Sequence, residues 1–365
     1  MASLLSTIAA PNYSIQIGEA ALDQLGAFLK KNKFSKIFIL VDENSLQHCV
    51  PQLVSRVKKL AEAEIIELES GERNKTIDVC VNVWRVLGEL GADRHSLLIN
   101  VGGGVITDMG GFIAATFKRG IAFVNMPTTL LAQIDASVGG KTGVDLDGLK
   151  NEIGMFVDPK EIFVFPGFLR SLPRKQMLSG FAEALKHGLV ADADYWQKLI
   201  TVNIADDVSW DEIILRSIRI KSDIVQNDPF ETGRRKILNF GHTIGHALES
   251  FFLERGEASL LHGEAVVAGM ICESWMSNQL AGLKENELEE IKYTLLQLYG
   301  TVNVDSMDDH RLIELMRHDK KNESGSINFT LLDAIGKPII NKKAAATDII
   351  EALNYYRNIS GQKKF

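Results

Sequence analysis

The sequence predicts an α/β protein of two domains, a parallel-sheet domain over residues 1–170 and a mainly α-helical domain over residues 171–365. Three observations carry that expectation. Short β-branched runs alternate with amphipathic stretches through the first 165 residues. Longer 3.6-residue periodicity replaces them after Leu172-Pro173. The 365 residues are more than twice the ~150 of one ordinary domain, so two domains sharing a cleft are expected.

In chain order, residues 36–41 read as a first buried strand, followed by helical patterns over 50–62 and 76–90. Strands are expected at 97–101, 122–124 and 162–164. The second half reads as helices over 176–189, 210–226, 242–252 and 263–279, with one β-prone stretch at 326–332.

Composition narrows the function. Hydrophobic residues make up 45% and charged residues 24%, with 8 prolines, which is ordinary for a globular chain and excludes disorder as the main theme. Forty Lys and Arg against 47 Asp and Glu give a formal charge of −7, so there is no bulk basic field for nucleic acid or an anionic membrane, and any anion site must be a local cluster. Cys49, Cys80 and Cys272 are widely spaced with no CxxC, which speaks against a disulfide framework or a thiolate zinc site and for a reducing compartment. The first ten residues lack a basic n-region and no run of about 18 apolar residues occurs, so a cytoplasmic protein without a membrane partner is expected.

Three constellations could carry chemistry. Gly102-Gly103-Gly104-Val105-Ile106-Thr107-Asp108 follows a strand and precedes a helical run. Without Cβ atoms the backbone could approach a pyrophosphate at a helix N-terminus, as in a Rossmann-like domain, although Thr107 breaks GxGxxG and a plain tight turn fits too. Asp135-Ala136-Ser137-Val138-Gly139-Gly140-Lys141-Thr142, followed by Lys150-Asn151, fails the P-loop spacing because position 135 is Asp. Its lysines suit a phosphate or carboxylate instead. In the helical half, Glu183 and Lys186 share a helix face, as do His242 and His246, and His262 follows. One Glu with two or three His is a ligand set for a divalent transition metal, while a lone histidine more often satisfies a core hydrogen bond.

Taken together, GGGVITDMGGFIAATFKRG, NMPTTLLAQIDASVGGKTGVDLDGLKNEIGMF, GFAEALKHG, RRKILNFGHTIGHALES and LHGEAV occur in an order that resembles the 3-dehydroquinate synthase family of sugar-phosphate cyclases, over residues 42–332. The resemblance implies an N-terminal NAD-binding α/β domain and a helical metal- and substrate-binding domain. It implies metal ligation by Glu183, His242 and His262. It implies dinucleotide contacts at Asp42, Asn44, Glu72, Lys75, Gly103, Gly104, Asp108, Thr128, Thr129, Lys141, Lys150, Phe168, Ser171 and Leu172. Substrate groups would fall on Arg119, Asp135, Lys141, Lys150, Asn151, Lys186, Lys221, Arg235, Asn239, His246 and one or both of Lys320 and Lys321. Departures are small: Thr107 stands where a glycine is often seen, Gly111 follows a Met-Gly pair, and the stretch between His246 and His262 is slightly longer than in some relatives.

The activity so implied is a carbon–oxygen lyase of the shikimate pathway that serves aromatic amino-acid and chorismate biosynthesis. It converts 3-deoxy-D-arabino-heptulosonate 7-phosphate to 3-dehydroquinate and phosphate with NAD and one Zn²⁺ or Co²⁺, by transient oxidation, phosphate elimination, reduction, ring opening and aldol closure. The implied assembly is a homodimer. A metal-dependent polyol dehydrogenase is the runner-up, but it has no need of so many lysines together. Cyclases of sedoheptulose 7-phosphate or glucose 6-phosphate are a second alternative, disfavoured by Arg235, Asn239, Lys221 and His246, which suit a carboxylate.

Overall fold

A computed structural model describes residues 5–147, 149–204, 208–254, 260–304, 307–318 and 327–361. The chain divides into two units, Met1–Gly180 with Ser209–Gln226, and Phe181–Val208 with Asn227–Phe365. The first unit therefore takes in a stretch that lies well beyond residue 170.

The first unit begins with a short antiparallel pair, β1 (Ser6–Ala9) and β2 (Ser14–Ile17), and α1 (Ala21–Lys31). β3 (Ile37–Asp42), α2 (Glu43–His48), α3 (Val50–Arg56), β4 (Glu64–Leu68), α4 (Ile77–Glu89) and β5 (Leu97–Gly102) follow. Then come α5 (Gly104–Thr116), β6 (Ala122–Pro127), the hairpin β7 (Lys141–Leu146) and β8 (Leu149–Phe156), and β9 (Ile162–Val164). Seven strands form one sheet in the order β1-β2-β9-β6-β5-β3-β4, parallel throughout except at β1.

β5 is buried along its whole length, because helices cover both of its faces and leave no polar side to alternate with. Two apolar layers sandwich the sheet. Ile39, Val41, Ile99 and Val101 pack on the side of α1 and α3, and Phe38, Leu40 and Leu98 pack on the side of α4 and α5. The chain passes from β3 to β4 on one side and returns to β5 on the other, so the strand order reverses between β3 and β5. In such sheets the crevice beyond the carboxyl ends at this point is where ligands bind.

The sequence reading finds four of these strands and misses β1, β2, β4 and the β7–β8 hairpin. The short edge strands carry no long apolar run. The hairpin opens on Gly139 and Gly140, both at positive φ, so the stretch that superficially suggests a phosphate loop is a turn feeding β7. Across the hairpin, a Cβ on Gly143 would lie 2.6 Å from the Ile153 carbonyl oxygen, a spacing only glycine permits.

α6 (Arg174–Ala191) begins in the first unit and continues into the second, which holds α7 (Ala193–Leu199). α8 (Trp210–Asn227) belongs to the first unit almost entirely. The second unit continues with α9 (His242–Glu254), α10 (His262–Leu280), α11 (Glu285–Tyr299) and α12 (Asp309–His318), and ends with the hairpin β10 (Asn328–Ala334) and β11 (Lys337–Lys343) and α13 (Ala346–Gly361). α10 is apolar nearly all round and forms the core of this unit. Among the described residues no helix is long and apolar enough to cross a membrane. Cys49, Cys80 and Cys272 are free and buried; burial pushes the thiols of Cys49 and Cys80 up to about 12 and raises that of Cys272 as well.

Candidate functional site

In the first unit, the expected dinucleotide residues collect at the carboxyl edge of the sheet. Asp42 ends β3, and its Oδ1 accepts from Ser45 N at 2.7 Å, capping α2, on which Asn44 lies exposed. Gly103 is the N-cap of α5 and has no side chain to satisfy the first-turn N–H groups. Those amides have no helical carbonyl to meet them, and such free N–H groups favour an anion. A Cβ on Gly103 would sit 3.1 Å from the Thr129 methyl, so the loop after β6 presses on the glycine turn. Thr128 N donates to Gly102 O at 2.9 Å and locks the two loops together.

The β7–β8 hairpin brings a second group to this edge. Lys75 is buried and donates from Nζ to Asp108 Oδ2 at 2.7 Å and to Asn151 Oδ1 at 2.6 Å. Burial alone would lower the pKa of Lys75, but the carboxylates of Asp108, Glu72 and Asp145 outweigh it and hold the ammonium charged. Lys150 pairs with Glu72 at 3.1 Å. Asn151 adopts a left-handed conformation with φ of 52°, and its N–H donates to Asp145 Oδ1 at 2.7 Å. Lys141 is exposed at the start of β7. Lys221 on α8 reaches Asp135 with Nζ 2.7 Å from Oδ1 and 2.6 Å from the carbonyl. The two residues are far apart in the sequence, and the placement of α8 within the first unit is what joins them.

Other expected residues stand apart. Arg119 follows the C-terminal end of α5, about 20 Å of helix away from the glycine turn, so within this chain it is not brought to that cluster. The Phe168 ring is 1% exposed and stacks edge-on against Phe165 at 5.0 Å, so its side chain packs the core. Ser171 turns its hydroxyl back to Phe168 O at 3.2 Å, and Leu172 follows that turn. Lys320 and Lys321 lie outside the described residues.

The second unit assembles the helical constellation. Glu183 on α6 is 0% exposed, and its Oε1 lies 3.5 Å from His242 Nε2 and 3.4 Å from His262 Nε2. Ligands about 2.1 Å from a tetrahedral metal are separated by about 3.4 Å, so the Glu183 oxygen stands at coordination-shell distance from each imidazole nitrogen, and the three residues offer donor atoms within 4.8 Å of one another. The other imidazole nitrogens are engaged: His242 Nδ1 donates to Phe240 O at 3.1 Å and His262 Nδ1 to Glu249 Oε2 at 3.2 Å. Such bonds fix the ring orientation and turn the Nε2 atoms toward Glu183. Burial would depress His262, but Glu249 and then Glu183 outweigh it and raise its pKa to about 9.

Two close backbone contacts hold the histidines together. A Cβ on Gly269 would lie 2.0 Å from Gly241 O, and one on Gly245 would lie 3.1 Å from Ala265 O, so α9 and α10 touch along a strip without side chains. His246 joins the group, its ring centroid 5.0 Å from that of His242 and 6.1 Å from that of His262. Lys186 forms a buried ion pair with Glu183 and is 1% exposed. Arg235 is 2% exposed and its guanidinium donates to Pro229 O at 2.7 Å. Asn239 Nδ2 donates to Glu231 Oε1 at 2.7 Å.

Sequence reasoning overlooks three buried carboxylates here, Asp228, Glu249 and Glu273. Glu249 lies one turn beyond His246 on the helix that carries the HxxxH pair, and that spacing was the only available signal.

A family model described as 3-dehydroquinate synthase N-terminal matches residues 65–179, and one described as 3-dehydroquinate synthase C-terminal matches residues 180–322. The 3-dehydroquinate synthase of Parabacteroides distasonis is 44% identical over 342 residues, covering 93% of this chain and 96% of the relative. Two solved structures share the fold at a TM-score of 0.80 and 24% identity. One is a 2-deoxy-scyllo-inosose synthase complexed with carbaglucose-6-phosphate, NAD⁺ and Co²⁺, covering 96% of this chain and 99% of its own. The other is the 2-epi-5-epi-valiolone synthase of Streptomyces hygroscopicus subsp. jinggangensis with NAD⁺ and Zn²⁺ bound, covering 98% and 99%.

Proposed function

The chain belongs to the 3-dehydroquinate synthase family, and from that premise we propose that it converts 3-deoxy-D-arabino-heptulosonate 7-phosphate to 3-dehydroquinate and phosphate. The observation that carries the reading is the buried convergence of the Glu183 carboxylate with His242 Nε2 and His262 Nε2 at metal-shell spacing. Glu183, His242 and His262 would hold Zn²⁺ or Co²⁺, whose ligand preferences one carboxylate and two imidazoles meet. The glycine turn before α5, with Asp42, Asn44, Asp108, Thr128 and Thr129 around it, would hold NAD. When bound, NAD supplies reversible removal of a hydride from a secondary alcohol, and the metal ion supplies positive charge beside the hydroxyl being oxidised.

The chain's own residues do the rest. The first-turn amides of α5 would hold the cofactor pyrophosphate. Glu72 and Lys75 keep the hairpin residues Lys150 and Asn151 at the same edge. Lys141, Lys150, Asn151, Lys221, Arg235, Asn239 and one or both of Lys320 and Lys321 supply charge and hydrogen bonds for the substrate phosphate and carboxylate. Asp135 and Lys186 fix substrate hydroxyls, and His246, one turn along from a ligand, exchanges a proton with one of them. Oxidation of the alcohol acidifies the neighbouring C–H, and the substrate's own phosphate removes that proton as it leaves, so no separate protein base is assigned. Arg119 belongs to the same substrate set. In the two domains read from the sequence, residues 1–170 would hold NAD and also carry Arg119, Asp135, Lys141, Lys150 and Asn151 of the substrate set, and residues 171–365 would hold the metal and the other substrate groups. The active form is a homodimer in the cytoplasm.

Phosphate release from the heptulosonate phosphate, followed with catalytic NAD⁺ with and without a chelator, tests the reading. One phosphate per substrate without net NADH, abolished by chelation and restored by Zn²⁺ or Co²⁺, is expected. Stoichiometric NADH, or turnover indifferent to chelation, would instead support a simple dehydrogenase or a metal-free route.

A further inference from the structure

Glu273 is a buried carboxylate that the proposed reaction does not use. It lies on α10, 0% exposed, and its oxygens are directed at the neighbouring helix. Gly241 N donates to Oε2 at 2.6 Å and Ile244 N to Oε1 at 3.2 Å. These amides bracket the start of α9, whose first residue is His242. The first turn of a helix leaves its N–H groups without carbonyl partners. The usual acceptor is the side chain of the preceding residue, but that residue is Gly241, at φ of 78°, where a Cβ would lie 2.4 Å from Met270 Cγ. The close approach of the two helices therefore excludes a local cap, and the acceptor comes from across the contact. A carboxylate suits the place, since it makes charge-assisted bonds at the positive end of the helix dipole.

We infer that Glu273 is a positioning residue: it ties the first turn of α9 to α10 and so holds the His242 imidazole at its working distance from His262 and Glu183. The inference rests on the metal reading above. It assigns the His242 geometry to bonds made to the backbone amides of Gly241 and Ile244, on either side of that residue. A glutamine at 273 keeps one oxygen acceptor but turns an amide N–H₂ toward a backbone N–H, so it breaks one of the two ties at nearly constant volume.

The test is the Zn²⁺ affinity of the full chain, read by competition with a chromogenic chelator, for wild type, Glu273→Gln and the adjacent buried control Ser274→Ala, alongside the thermal midpoint of each metal-free protein. Glu273→Gln is expected to weaken Zn²⁺ binding by ~10-fold or more, in the range seen when groups supporting metal ligands are removed. Ser274→Ala should leave the affinity unchanged. A lowered midpoint with wild-type affinity in Glu273→Gln would mean a structural role alone and would overturn the inference. Failure of the wild type to take up one Zn²⁺ per chain would sink the metal reading itself, a separate and recognisable result. Should Glu273→Gln not fold, hydrogen exchange on the wild type decides. Zn²⁺ should slow exchange of the Gly241 and Ile244 amides at least tenfold, and amides that exchange freely or ignore Zn²⁺ would refute the tie.

Discussion

Asp228 shows how much of this protein is held by carboxylates bonded to backbone. Its two oxygens accept from Thr232 N at 3.0 Å, the Thr232 hydroxyl at 3.2 Å, Gly233 N at 2.7 Å and Arg235 N at 2.9 Å, shaping the turn that carries Arg235. Burial pushes this carboxyl up, but the amides of Arg235, Gly233 and Thr232 outweigh it, and the net direction is below the ordinary 3.8. A carboxyl depressed in the native state adds stability at pH values above its unfolded pKa and loses it as pH falls through the native one. Asp228→Asn is therefore expected to cost about 1.5–3 kcal/mol at neutral pH and to flatten the decline of the thermal midpoint below about pH 4. Acid limbs of equal slope in variant and wild type would show that Asp228 is not the linked group. None of Asp228, Glu249 and Glu273 was legible in the sequence as more than a charge. The partners of Asp228 and Glu273 are backbone N–H groups, which leave no mark on residue identity. The cluster of Glu183, His242, His246 and His262 was legible because its members are chemically distinctive whatever the fold around them, and the choice of three of them as ligands came from the family resemblance.

At the scale of elements, periodicity served well where a segment has one environment. β5, α4, α9 and α10 begin and end within two residues of their expected limits, since each faces a uniform apolar surface. It failed for β7 and β8, whose glycines, lysines and asparagine read as loop. They pair because Gly143 and Gly154 let two backbones meet, a property of the partner strand that neither stretch shows alone. The α9–α10 contact obeys the same rule. Gly269→Ala would place a methyl 2.0 Å from Gly241 O and 2.9 Å from Gly245 N and push the helices apart. Overpacking of this kind costs about 1–3 kcal/mol or more, and Zn²⁺ affinity should fall with it. Gly88→Ala in α4, where an added Cβ meets nothing within 4 Å, serves as the comparison and should be neutral or slightly stabilising. Equal Zn²⁺ affinity in the two variants would mean that the strip does not set the ligand spacing.

For the molecule as a whole, the break between the two family matches, at residues 179 and 180, falls beside the Gly180–Phe181 division of the structure. The parallel sheet could be anticipated from strand–helix alternation, but its reversal point could not, because β4 was not read as a strand. The return of residues 209–226 to the first unit could not, because an amphipathic helix declares that it will be buried without naming the surface that buries it. The proposed cofactor residues Asp42, Gly103, Gly104 and Asp108 belong to one unit and the proposed metal ligands to the other. Glu183→Gln should therefore abolish Zn²⁺ uptake while NAD⁺ affinity, read by calorimetry, changes by less than threefold. Loss of both together would show that the sites are obligatorily coupled.

The three interior sulfurs give the protein a chemical record of its own opening. Cys49 and Cys80 lie in the sheet unit and Cys272 in the helical unit, each shielded from reagents and held as an unreactive thiol. An alkylating agent therefore finds its target only in a molecule that has breathed, and the position it labels says which half let it in.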